Sequence, residues 1–205
     1  MNSTQVFNPN LDFPNGFLGL VFDVDGVLFD SRASNMLYYN CVRHELGLPD
    51  LNPEEESFCH MASVQESIEY IVPAAMLDNA YEACRKINYR ERILPLLTLE
   101  PGVIDFLQLL KGHRVRCAIF TNRSSSVDEL LRMFDLEEFF FPVKTAATGR
   151  AKPHPDGLVQ ILEEWDVGPD QIAFLGDSKV DEMAASSARV PFWAFRSPDL
   201  DARLH

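Results

Sequence analysis

Leu18-Gly19-Leu20-Val21-Phe22-Asp23-Val24-Asp25-Gly26-Val27 is the stretch from which the fold is read. Its apolar run is short and a glycine follows it, which predicts a buried strand and then a turn. Asp23 and Asp25 fall one residue apart at the carboxyl end of that strand. Side chains alternate along a strand, so both carboxylates point the same way if the strand continues through them. Gly26 lets the chain turn just beyond. Two like charges buried together are costly unless a proton or a cation compensates. A hard divalent cation with oxygen ligands, Mg2+ above all, meets that need and points to phosphoryl chemistry. The plain alternative is a strand end with two solvated aspartates at a turn.

Beyond this strand the pattern turns helical. Arg32 to Leu46 carries apolar residues at helical spacing, and Gly47 closes it. Ser63 and Glu66 are spaced as a capping box, opening a helix to Ile71. Ala74 to Arg92 is rich in helix formers. No convincing strand falls between Ser31 and Thr98, so 31–98 is expected to be an all-helical insert. Alternation then resumes. Helices are predicted near 103–111, 124–134, 155–165 and 179–188, and strands near 115–121, 139–143, 171–175 and 192–195. Strands alternating with helices imply an α/β fold with a parallel sheet covered on both faces. In such sheets, ligands bind beyond the carboxyl ends of the strands, near the topological switch point.

The 205 residues suffice for one generous domain or a domain with an insert. With 46% hydrophobic and 24% charged residues, the profile is that of a soluble globular protein. The formal charge of -13 repels nucleic acid and anionic membranes, so neither is expected as a partner. It repels phosphorylated metabolites too, so an anion site must be made positive locally by a metal, a lysine or helix N-termini. Cys41, Cys59, Cys84 and Cys117 show no CxxC spacing and read as reduced thiols of a cytoplasmic protein. No basic region followed by an apolar stretch opens the chain, and no apolar run is long enough to span a bilayer. Residues 1–17 are expected to form a flexible leader.

Three further features fall where the sheet rule places a ligand. Strand 115–121 ends in Thr121-Asn122 before a run of serines, a hydroxyl and backbone N–H groups suited to a phosphate. Lys152 lies in Ala151-Lys152-Pro153-His154-Pro155, where two prolines aim it. Ile172-Ala173-Phe174-Leu175 runs into Gly176-Asp177-Ser178-Lys179-Val180-Asp181, a second acidic loop at a strand end. Asp181 is alternatively a cap for the next helix. Each feature alone has a bland reading, but together they gather carboxylates, a hydroxyl and a lysine at one sheet edge.

The ordered set Asp23 to Val27, Thr121-Asn122, Lys152-Pro153 and Gly176 to Asp181 resembles the haloacid dehalogenase (HAD) superfamily. The helical insert is similar to the cap of its phosphoglycolate phosphatase and beta-phosphoglucomutase branch. The resemblance implies a Rossmann-like core, 18–30 and 99–205, beneath a helical cap, 31–98. It implies a Mg2+-dependent phosphatase acting on a small phosphorylated metabolite, as a monomer or homodimer. Asp23 would be the nucleophile and form an aspartyl-phosphate. Asp25 would be the general acid and base. Thr121 and the Asn122 N–H would bind phosphoryl oxygens, and Lys152 would neutralise charge on Asp23 and the phosphoryl group. Asp23, the Asp25 carbonyl and Asp177 would hold Mg2+, with Asp181 nearby. Val27 and the stretch Ser63 to Ile68 look like those of the mutases. The arginine by which mutases grip a second phosphate falls on Val64, which cannot bind an anion. Lys86, Arg85, His60 and Tyr70 are candidate cap contacts, each more simply read as a surface or core-edge residue. The family's usual Ala-Gly after the last motif is here Ala188-Arg189, so that helix is expected to end differently.

Overall fold

The computed structural model describes residues 13, 16–124 and 126–196. Strand β1 (Gly19–Phe22) leads through a short strand β2 (Phe29–Asp30) into helices α1 (Arg32–Glu45), α2 (Pro53–Met61), α3 (Val64–Ile71), α4 (Leu77–Lys86) and α5 (Tyr89–Arg92). Strand β3 (Thr98–Leu99) follows, and then α6 (Val103–Gly112), β4 (Arg116–Thr121), α7 (Val127–Met133), β5 (Phe140–Thr145), α8 (Asp156–Trp165), β6 (Ile172–Gly176), α9 (Lys179–Ala188) and β7 (Phe192–Ala194). Five strands form one parallel sheet in the order β5-β4-β1-β6-β7. The chain leaves β1 for β4 and β5 on one side and later returns to β6 and β7 on the other. The switch point therefore lies at the carboxyl end of β1, where Asp23 stands.

The unbroken apolar run of β1 reflects burial on both faces. Leu20 and Phe22 pack with Leu107 of α6 and Leu130 of α7, whereas Val21 packs with Leu158 and Ile161 of α8 and Ala184 of α9. The helices between residues 32 and 86 have a core of their own, built on Met36, Val42, Ile68, Ile71 and Ala80. Arg43 ties that bundle together, donating to Pro49 O at 2.6 Å, Glu55 Oε1 at 2.8 Å and Ile71 O at 3.3 Å. The fold is thus an α/β core with a Rossmann-like parallel sheet and a helical cap after the first strand.

The structure departs from the sequence reading in several places. Helix α2 was not foreseen. Asn52 caps it by accepting from Glu54 N and Glu55 N, with Pro53 in the first turn. The helix expected over Ala74 to Arg92 is broken, because Ile87 takes an extended conformation and Asn88 then caps a new helix at Glu91 N. Residues Phe29–Asp30 pair antiparallel with Thr98–Leu99, a small ribbon where the chain enters and leaves the cap. Ser126, at the N-cap of α7, makes no side-chain capping hydrogen bond. Most of the leader expected over 1–17 lies outside the described residues. Of the rest, Phe13 is buried in the main core and Phe17 stacks on Trp193 at 5.5 Å, because two aromatic rings gain more against apolar partners than in water.

Arg189 ends α9 in the left-handed conformation, φ 58°, just as a glycine would. The helix keeps its usual termination, and the arginine carries the strain. Arg189 is exposed. Arg189→Gly should therefore raise stability by about 0.5–1 kcal/mol in urea unfolding. A loss of stability would contradict strain at this position.

Candidate active site

The site is assembled from strand ends. Asp23 follows β1, and its backbone N–H donates to Leu175 O at 2.9 Å, fixing the residue between the central strands. Gly26 turns the chain with φ 73°. A Cβ there would meet Asp177 Oδ2 at 2.0 Å, so only glycine lets the first acidic loop lie against the second. Thr121 closes β4, and its hydroxyl accepts from Arg123 N at 3.2 Å. The Asn122 side chain grips the backbone of Lys152, accepting from its N–H at 2.7 Å and donating to its carbonyl at 3.1 Å. That grip delivers the Lys152 ammonium to the sheet edge.

The ammonium lies 2.8 Å from Asp23 Oδ1 and 2.5 Å from Asp181 Oδ1. Its contact with Asp23 is off the direction of a hydrogen bond, and this buried oxygen has no hydrogen-bond donor. Burial pushes the Asp23 carboxyl up to about 8, against the opposing pull of Lys152 and with the added repulsion of Asp181, Asp177 and Asp25. Burial alone would lower the Lys152 pKa, but Asp181 and Asp23 outweigh it and hold the lysine charged. Asp181 is fully buried beneath the site. Its Oδ2 accepts from Ser178 N at 3.0 Å and Ser178 Oγ at 2.5 Å, so it caps α9 as well as facing Lys152. The capping reading of Asp181 holds. Oxygens of Asp23, Asp177 and Asp181 lie within 4.8 Å of one another. An oxygen-only donor set with one undonated, buried carboxylate oxygen suits a hard divalent cation.

Asp25 stands differently. Arg123 holds it bidentately, Nε to Oδ2 and Nη2 to Oδ1, both at 2.6 Å, and Asn35 Nδ2 adds a bond at 3.2 Å. Burial pushes its pKa up, but the guanidinium charge and hydrogen bonds outweigh this and hold it below the usual carboxylate range. Asp23, Asp25, Thr121, Asn122, Lys152 and Asp177 all line one cavity of about 300 Å³ between the sheet edge and the cap. From the cap, His60 of α2 enters this cavity with Nε2 3.6 Å from Asp177 Oδ2. The neighbouring Asp177 carboxylate raises its pKa despite partial burial.

The model of the haloacid dehalogenase-like hydrolase family matches residues 20–195. The chain belongs to this family. It is 34% identical over 198 residues to a phosphoglycolate phosphatase of Escherichia coli O157:H7, covering 84% of this chain and 79% of that protein. It is 27% identical over 176 residues to a phosphorylated carbohydrates phosphatase of Thermotoga maritima, covering 83% and 81%. A HAD-superfamily hydrolase of subfamily IA, variant 1, from Geobacter sulfurreducens PCA superposes with a TM-score of 0.73 at 36% identity, covering 91% of this chain and 90% of that one.

Within this HAD-like hydrolase, the sequence motifs located the sheet edge but missed the residues that join it to the cap. Arg123 directly follows Thr121-Asn122, and its place at a strand end was the available signal. Its Nη1 donates to Tyr89 OH at 2.7 Å and Ser126 Oγ at 3.1 Å, so it reaches both cap and core. Asn35 and Tyr89 lie on helices whose pattern reads only as amphipathic. Of the four cap candidates, His60 lines the cavity, while Lys86, Arg85 and Tyr70 are not among its described lining residues.

Breaking the Asp25–Arg123 pair leaves a buried carboxylate alone. Arg123→Ala should cost about 3–5 kcal/mol in urea unfolding. Adding Asp25→Asn should recover part of that loss. Strictly additive losses would show that the two groups do not stabilise each other.

Proposed function

We propose that this protein is a Mg2+-dependent phosphatase that hydrolyses a small phosphate monoester through an aspartyl-phosphate on Asp23. The observation that carries this reading is the buried Asp23 carboxylate at the end of the central strand, faced by Lys152 at 2.8 Å and short of a donor. The phosphatase names of the relatives support the reaction class.

Asp23 attacks phosphorus, and the ester oxygen leaves as the alcohol. Thr121 and the Asn122 N–H hold phosphoryl oxygens, and Lys152 offsets the charge on nucleophile and phosphoryl group. Asp25 gives a proton to the leaving oxygen and then takes one from the water that attacks the aspartyl-phosphate. Arg123 favours the carboxylate form of Asp25, which suits the second step; the first requires Asp25 to leave the guanidinium and carry a proton. Asp23, the Asp25 carbonyl and Asp177 would hold Mg2+, with Asp181 orienting Lys152 beside it. The bound ion would supply positive charge to a nucleophile and a substrate that are both anionic.

A phosphosugar mutase is the nearest alternative, and the cap argues against it. A mutase needs a strong second phosphate site. Val64 lines the cavity where that site would stand, and Lys86 is not among the described lining residues. A catalytically silent module fits poorly with chemically competent residues at every motif position. The substrate is a small phosphorylated metabolite. Charge of -13 disfavours nucleic acid and membranes, and no described helix is long and apolar enough to cross one. Four free cysteines accord with a reducing cytoplasm.

Asp23→Asn should lower phosphate release at least about 10³-fold with folding intact. EDTA should abolish the parent's activity, and Mg2+ should restore it. Turnover by Asp23→Asn close to the parent's, or full activity in EDTA, would overturn the mechanism.

A further inference from the structure

The cap half of the cavity has no cation to spare. Among its described lining residues the cationic or potentially cationic side chains are Lys152, Arg123 and His60. Lys152 is committed to Asp23 and Asp181. Arg123 uses all five of its N–H groups: Nε on Asp25, Nη2 on Asp25 and on Asn35 Oδ1 at 3.4 Å, Nη1 on Tyr89 and Ser126. His60 faces Asp177. The remaining charged lining group is an anion, Glu129 of α7. Its Oε1 meets Arg90 Nε at 2.5 Å, but Arg90 is 74% exposed and does not line the cavity.

The other wall is aromatic. Tyr38 and Tyr89 pack edge to face, with ring centroids 5.7 Å apart, and both line the cavity. Ring faces cover the C–H surfaces of a sugar, while Glu129 and the tyrosine hydroxyl accept from alcohol O–H groups. A carboxylate or second phosphate placed here would lose its water and meet Glu129 and Asp25, with hydroxyls rather than an unpaired cation to receive it. At about 300 Å³ the cavity is at the small end of ligand pockets, enough for one compact leaving group.

Resting on the phosphatase reading of this same site, we propose that the leaving group is an uncharged, polyhydroxylated alcohol. The substrate is then a sugar or polyol monophosphate rather than a phosphorylated carboxylate or a bisphosphate, and Glu129 is a residue that sets this preference. The acid repels a second anion and accepts hydroxyl hydrogens, so its removal changes selectivity rather than chemistry.

The test is Mg2+-dependent phosphate release from glucose 6-phosphate, 2-phosphoglycolate, fructose 1,6-bisphosphate and p-nitrophenyl phosphate. The parent should show kcat/KM for glucose 6-phosphate at least about tenfold above that for either doubly anionic ester. Glu129→Lys should move the ratio of 2-phosphoglycolate to glucose 6-phosphate at least about tenfold toward the carboxylate, chiefly through KM. Glu129→Gln, which keeps the side-chain shape, should move it the same way by less, and it serves if the lysine variant does not fold. Equal or better use of 2-phosphoglycolate by the parent, or a ratio unmoved in the folded variants, overturns the substrate assignment while leaving the phosphatase reading intact. No release from any ester, p-nitrophenyl phosphate included, overturns both.

Discussion

Lys152 lies between Asp23 Oδ1 at 2.8 Å and Asp181 Oδ1 at 2.5 Å, and the acidic edge of the sheet is arranged around that buried ammonium. Three carboxylates, Asp23, Asp177 and Asp181, gather against it. If all are ionised, three negative charges against one positive leave two uncompensated. Burial first, and then the repulsion of Asp181, Asp177 and Asp25, pushes the Asp23 carboxyl up to about 8 against the pull of Lys152. A divalent cation carries the charge that is missing. The same imbalance that destabilises the free protein locally prepares it for a cation and an anionic substrate together.

The surrounding structure holds this cluster in place from three directions. Asn122 fixes the Lys152 backbone. Ser178 fixes Asp181 through a capping box at the start of α9. Gly26 lets the two acidic loops approach without a Cβ against Asp177. Polar contacts join the sheet edge to the cap helices, Arg123 to Tyr89 and Asn35, Arg90 to Glu129, His60 to Asp177, while Leu94 and Leu97 at the end of the insert are buried in the main core.

The sheet and its motifs were legible because burial on both faces writes a continuous apolar run, and each motif follows such a run. Asp23, Thr121 and Asp177 were placed by that logic alone. Helix α2 was missed although Asn52-Pro53-Glu54-Glu55 is a start signal, because its short body, Glu56 to Met61, shows weak apolar spacing. The break at Ile87 had one local signal, Asn88 with Glu91 three residues on, which the helix formers on either side obscured. Arg189 was misjudged because a propensity, not a prohibition, separates arginine from the left-handed region. Arg123 escaped notice for another reason: a lone arginine after a strand is usually solvated, and only the fold brings Asp25, 98 residues away, to meet it.

The stereochemistry at phosphorus tests the central claim most directly. Attack by Asp23 followed by attack of water is two in-line displacements, whereas direct attack of water is one. Hydrolysis of a chiral, isotopically labelled phosphate monoester in labelled water should therefore release inorganic phosphate with net retention of configuration. Net inversion would contradict an aspartyl-phosphate and remove Asp23 as the nucleophile.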